Sequence, residues 1–405
     1  AGTGHFTRRV YSMTRSTALW TIFRNVNANI TGSFPTKEEN RMKITLKTEK
    51  LQEMVSRAIK GCSNDKMIPI TGFMSIDLSE HRLTFTTTDA INYLYVSEDK
   101  IDGEDFNVVV PAETFSKLIS KMTSENISLE LTGEELKVIG NGNYTIELPL
   151  DEEGELVKFP NPLDAFDIKS AQAKYEVNLT TIQQLLTVNK PALDTNNDGS
   201  CYTGYYVGES VVSTDSYKIC GTGIKLFDEP ILIRPEMMDL LDVMTSEKIG
   251  VYIDGNTVVF ASEGCVVYGK TLEGIEDYSI DAISGLLDLD FPSECSVSKD
   301  VILQALDRLS LFIGPYDKNG IYMTFTKEGI LLSSKKSSGA ETVPYKTSDN
   351  FKEFTACINI DMLQTQIKAH VLDEIKICYG LDNAIKIIDG NVTQIIAFIE
   401  DDRDK

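Results

Sequence analysis

The stretch Met42-Lys43-Ile44-Thr45-Leu46-Lys47-Thr48-Glu49-Lys50-Leu51-Gln52-Glu53-Met54-Val55-Ser56-Arg57-Ala58-Ile59 decides the fold, because its hydrophobic period changes in the middle. Up to Lys47, apolar and polar residues alternate as in a half-buried strand. From Leu51 onward, Leu51, Met54, Val55, Ala58 and Ile59 recur at the spacing of a helix with one apolar face. A strand running straight into an amphipathic helix, with two further strands near 72–78 and 83–87, is a unit specific enough to look for again. Tyr175-Glu176-Val177-Asn178 leads into Leu179, Ile182, Leu185 and Leu186; Cys295-Ser296-Val297 leads into Val301, Ile302, Ala305, Leu306 and Leu309.

Between these lies a companion unit. An alternating strand ends in a short helix at Phe106-Asn107-Val108-Val109-Val110-Pro111, at Pro230-Ile231-Leu232-Ile233-Arg234-Pro235 and at Phe354-Thr355-Ala356-Cys357-Ile358-Asn359. The helices carry Phe115, Leu118, Ile119 and Met122; then Met238, Leu241 and Met244; then Met362, Leu363 and Ile367. Two strands follow each, at 127–131 and 136–139, 249–253 and 258–261, and 375–379 and 384–388, joined by Gly and Asn turn residues. Corresponding points lie about 120–130 residues apart, a fixed period that is evidence of architecture. The fold class expected is α+β: three repeated domains over 42–165, 166–290 and 291–405, each with two helices on antiparallel sheet. Edge strands in such units need pairing or covering, which closure into a ring supplies.

Residues 1–41 differ in kind. They hold six basic residues and two acidic ones, without hydrophobic periodicity, and Met42 looks like a natural start. They read as an upstream extension or, being rich in Arg, Ser and Thr, as an organelle transit peptide. The whole chain of 405 residues carries a net charge of −22, which argues against a broad basic DNA-coating surface but permits a few cations on one inner face. The seven cysteines are scattered singly, so no disulfide framework or zinc site is expected. No apolar run is long enough to span a membrane.

Several local sequences resemble the bacterial β sliding clamp family, the beta subunit of DNA polymerase III. They are Ile68-Pro69-Ile70 after the first helix, Thr88-Asp89 closing a strand, Phe159-Pro160-Asn161 at the end of the first domain, and Thr214-Asp215-Ser216-Tyr217-Lys218-Ile219, similar to the family's Thr-Asp-Gly-His-Arg-Leu. The resemblance runs from Met42 to about Phe398. It implies two subunits closing head to tail into a ring, helices lining the hole and sheets outside. It also implies a sequence-independent grip on double-stranded DNA, with DNA polymerase and the clamp loader held through short peptide motifs.

On that reading, the cations on the expected helices are Lys47, Lys50, Arg57, Lys60, Lys117, Lys121, Lys190, Lys299, Arg308 and Lys368, with Lys66, Tyr202 and Lys318 on loops that reach DNA. As a set they stand out in so acidic a chain; singly, each is also what an ordinary solvated helix face carries. The middle domain's second helix, with Glu236, Asp239 and Asp242, offers DNA little. The resemblance places a partner-peptide groove at Thr214, Ser216, Tyr217, Lys218 and Ile219, with Ala397, Phe398 and Ile399 from the C-terminal segment. The acidic ending Glu400-Asp401-Asp402-Arg403-Asp404-Lys405 departs from the family and points to a specialised, phage-type partner set. The subunit interface is matched by Tyr144 and Ile146 against Phe312 and Ile313.

No catalytic constellation, cofactor motif or metal cluster is evident. His5, His81 and His370 stand apart, and no phosphate-binding Gly-x-x-x-x-Gly-Lys-Ser/Thr loop is present. The expectation is a non-enzymatic cytoplasmic protein, in a host cell's cytoplasm if phage-encoded. The alternatives are a structural protein of repeated α+β modules that does not encircle DNA, and a carboxylate-dependent hydrolase or nuclease.

Overall fold

The computed structural model describes residues 42–400 apart from 197–198, 315–318, 337 and 348–349. In the first unit, β1 (Met42–Lys47) runs into α1 (Thr48–Ala58), followed by β2 (Phe73–Ser79), β3 (Arg82–Thr88) and β4 (Tyr93–Asp99). Its second half is β5 (Phe106–Pro111), α2 (Ala112–Ser120), β6 (Asn126–Thr132), β7 (Glu135–Ile139) and β8 (Asn143–Glu147). The middle unit repeats this with β9 (Ala173–Asn178), α3 (Leu179–Asn189), β10 (Tyr205–Val207), β11 (Val211–Thr214) and β12 (Lys218–Thr222). Then come β13 (Ile231–Ile233), α4 (Pro235–Asp239), β14 (Lys248–Asp254), β15 (Thr257–Ser262) and β16 (Cys265–Lys270). A linker helix, α5 (Ile280–Leu287), precedes the last unit: β17 (Ser293–Ser298), α6 (Lys299–Ser310), β18 (Gly320–Thr326), β19 (Gly329–Ser334) and β20 (Ala340–Val343). The chain ends in β21 (Lys346–Thr347), β22 (Phe354–Asn359), α7 (Ile360–Lys368), β23 (Glu374–Tyr379), β24 (Ala384–Asp389) and β25 (Val392–Ala397).

Two differences from the sequence reading matter. Each half-unit has three strands after its helix rather than two. The middle unit's second helix is α-helical only to Asp239 and tightens into a 3-10 turn at Leu240–Val243. The helices begin where local chemistry starts them. Asn178 caps α3 through the Thr181 amide, and Asn359 caps α7 through the Asp361 and Met362 amides. The amides of Thr48, Leu179 and Lys299 donate to the carbonyls of Glu125, Glu247 and Asp373 at 3.0, 2.8 and 2.8 Å, one bond made three times. The repeat is therefore structural, down to how a helix start is tied to the other half of its unit.

The third strands build the architecture. The strand order β5-β2-β3-β4-β16-β15-β14-β9 joins the first unit to the middle one by pairing β4 with β16. The order β13-β10-β11-β12-β25-β24-β23-β17-β21 joins the middle unit to the last by pairing β12 with β25. Two four-stranded sheets remain, β1-β6-β7-β8 and β20-β19-β18-β22. Within each seam the strands alternate by face. Leu94, Val96, Cys265 and Val267 face the core beneath the helices. Tyr93, Tyr95 and Tyr268 face the other way, where linker residues Phe159, Leu163 and Phe166 cover them. At the second seam Ile219 and Ile395 are covered in the same way by linker residues Tyr278 and Ile283. Helices thus lie on one face of the joined sheets and linkers on the other.

Candidate nucleic-acid face and partner seam

Most cations on the helix face are already engaged. Lys50 pairs with Glu98 at 2.8 Å, chiefly through a hydrogen bond that raises its pKa, and lies 3.6 Å from Glu53. Lys117 pairs with Glu113, Lys190 with Asp239 at 2.7 Å, Arg308 with Glu341 through Nε at 2.9 Å, and Lys368 with Asp307 at 3.9 Å. Lys299 donates to the His370 carbonyl at 2.6 Å. Arg57 is a clip between units: its Nε donates to the Val243 carbonyl at 3.0 Å, and Glu53 lies 3.5 Å from its guanidinium. That leaves Lys47, Lys60, Lys66 and Lys121, all exposed, all in the first unit, and without an ion pair among the described residues. Lys318 lies outside the described residues. Tyr202 is turned to the linker side, its ring 5.0 Å from that of Tyr278.

The second seam begins with a tight turn. The Thr214 hydroxyl donates to the Lys218 carbonyl at 2.7 Å and accepts from the Ser216 amide at 3.0 Å. Asp215 Oδ1 accepts from the amides of Tyr217 and Lys218 at 2.9 and 2.8 Å. The turn at Thr88–Asn92 in the first unit makes the same four bonds at 2.6, 2.9, 2.9 and 2.6 Å. Both turns put a residue with a Cβ in the left-handed region, Ser216 at φ 74° and Ala90 at φ 82°. Tyr217 stands exposed at the turn's tip. Lys218 is folded back on Asp215 at 3.1 Å and on the Pro191 carbonyl, and Ile219 is buried in the seam.

The C-terminal segment leaves this seam for the last unit. The Ala397 amide donates to the Tyr217 carbonyl, Phe398 to Asn383 and Ile399 to Cys357, each at 2.9 Å. The Phe398 ring lies 6.0 Å from that of Phe354 and packs on the last unit's core. Of the groove residues named from sequence, Thr214, Ser216, Tyr217, Lys218, Ile219 and Ala397 meet at the seam, while Phe398 and Ile399 turn away from it.

The residues matched to a subunit interface divide evenly. Tyr144 on β8 is 43% exposed and Phe312 after α6 is 54% exposed, whereas Ile146 is buried in its own core and Ile313 is partly buried against the last unit's. Leu311, next to Phe312, is 81% exposed, and a single apolar residue past a helix end carries no periodic signal in the sequence. No three His, Cys, Asp or Glu among the described residues are grouped to hold a metal. His370 is buried between Asp389 at 3.2 Å and Gln394 at 2.8 Å, a satisfied core histidine.

Residues 42–157 match the family described as DNA polymerase III beta subunit, N-terminal domain. The first unit of this chain thus resembles that family's N-terminal domain, and the chain as a whole is similar to β sliding clamps. It is similar to the beta sliding clamp of Bacillus subtilis (strain 168), 21% identical over 370 residues that cover 84% of this chain and 92% of that relative. The crystal structure of the B. subtilis sliding clamp superposes with a TM-score of 0.78 at 18% identity, covering 89% of this chain and all of that one. The Pseudomonas aeruginosa sliding clamp bound to griselimycin superposes at 0.77 with 12% identity, covering 89% of this chain and all of that one. The three-unit fold expected from the sequence is the fold these clamps share.

Proposed function

We infer that this chain is a DNA sliding clamp: two copies close head to tail around duplex DNA and tether a polymerase to it. One observation carries the reading. Each closed seam pairs the third strand of one unit's first half with the third strand of the next unit's second half. The strands left over by that rule are β20, in the last unit, and β8, in the first. A second copy supplies each with the partner that the rule demands. Taking the units as 42–165, 166–290 and 291–405, two chains then give six helix pairs facing one hole.

The hole needs no base readout; phosphate contacts of low strength suit movement along the duplex. Lys47, Lys60, Lys66 and Lys121 supply such contacts, and the acidic remainder keeps DNA off the outside. The partner groove lies at the seam of Thr214, Ser216, Tyr217, Lys218, Ile219 and Ala397, where an extended peptide with apolar anchors gains affinity from a few buried side chains. Griselimycin, held by the P. aeruginosa clamp, is a ready probe of it. The clamp acts by topology and has no catalytic step, and its place is the cytoplasm beside the DNA. Loaded on nicked circular DNA, the protein should stay bound and then fall away when the circle is cut to a linear form. Equal loss from both forms would contradict encirclement.

A further inference from the structure

We propose that Lys386 positions the linker helix α5 as a wall of the partner seam, fastening the C-terminal end of a helix whose apolar face lies across β12 and β25. This rests on the partner groove proposed above. Lys386 sits in β24 opposite Ile395 and Cys378, between Ile385 and Ile387, which point into the core. Strand alternation therefore puts its side chain on the linker face. There it is 8% exposed, with no carboxylate in salt-bridge range among the described residues. A buried ammonium needs other partners, and it has three. It donates to the Leu287 carbonyl at 2.7 Å and to the Leu289 carbonyl, and it lies 5.4 Å from the centre of the Phe291 ring.

Those carbonyls belong to the last residue of α5 and to the turn just beyond it, groups that no following helical amide can satisfy. The ammonium supplies donors to them, complements the negative end of the helix and faces an aromatic ring. At the same time α5 buries Ile283 among Val212, Ile219, Tyr278 and Ile395. Leu287 lies over Gly221 so closely that a Cβ at that glycine would come within 2.4 Å of its Cδ1. The helix is thus seated across β12 and β25, the two strands of the seam, and fastened from β24 beside them. Nothing in the linker sequence Ser284-Gly285-Leu286-Leu287-Asp288 announces the fastening, because the cation comes from 99 residues further on.

Three variants and three readouts test this on the full chain. Lys386→Met keeps most of the side-chain volume and removes the donors. Lys386→Arg keeps a cation. Gly221→Val pushes α5 from the opposite side. Amide exchange over 284–291 should quicken at least tenfold in Lys386→Met and Gly221→Val and stay within about twofold of the parent in Lys386→Arg. Griselimycin affinity should fall about tenfold in the first two and recover in the third, with sedimentation unchanged in all. Parent-like exchange in Lys386→Met, or an arginine that rescues nothing, overturns the role of Lys386. A parent protein that fails to bind griselimycin contradicts the groove instead, and the exchange data still decide the positioning of α5.

Discussion

The two closed seams and the two open edges are built from equivalent strands but dressed differently. At β4 with β16, the face away from the helices carries Tyr93, Tyr95 and Tyr268 under a linker. At β12 with β25 it carries Ile219 and Ile395 under α5. On β8 and β20 the corresponding positions are Asn143, Thr145 and Glu147, and Ala340 and Thr342, which are polar or small. The helix-side positions of the open edges carry apolar Ile146 on β8 and Val343 on β20, the latter beside Glu341, which pairs with Arg308, and exposed Tyr144, Leu311 and Phe312 are close to hand. A seam closed within one chain has a linker to bury aromatics on its far side. A seam closed between chains has none, so its outer face must tolerate water and its apolar contacts must come from the inner side.

The largest effect that this contrast predicts is on assembly. Tyr144→Asp and Phe312→Asp change exposed residues, so the fold should survive while two-chain association weakens by roughly 100-fold, read by sedimentation equilibrium. An unchanged association constant would mean that the open edges meet other partners. Next in size is Arg57→Met. If Arg57 clips the first unit to the middle one, the variant should lose about 2 kcal/mol of stability in denaturant titration and leave the salt dependence of DNA binding alone. The reverse pattern would return Arg57 to the DNA-contacting set. Converting Lys60, Lys66 and Lys121 to Gln should lower the slope of log affinity against log salt by up to about 0.9 for each phosphate contact removed. The same changes should leave sedimentation as it was. The smallest effect belongs to the turn of the second seam. Ser216→Gly relieves a left-handed φ and should raise stability by about 1 kcal/mol in thermal melts. A loss of stability would mean that the Ser216 side chain holds the turn.

The sequence made the helices and the threefold repeat legible because burial imposes a period on them. Leu51, Met54, Val55 and Ala58 have to share a face, and all are buried. The third strands were not legible. Residues such as Ile219-Cys220-Gly221-Thr222 are buried by strands on both sides and a linker above, so no alternation survives to mark them. The same holds for the site. The Thr-Asp turns could be read, because an Asx-type turn has a local sequence signature. The fate of the cations could not, since the partners of Lys50, Lys190 and Arg308 lie 48, 49 and 33 residues away and only the fold brings them together.

The pairing of β8 with β20 of a second copy is the claim on which the ring depends, and amide hydrogen exchange at residues 143–147 and 340–343 tests it most directly. In the assembled protein these amides should be protected as those of β4 and β12 are. In Tyr144→Asp they should lose protection together, while β4 and β12 keep theirs. Exchange at free-edge rates in both strands of the assembled parent protein would contradict the account.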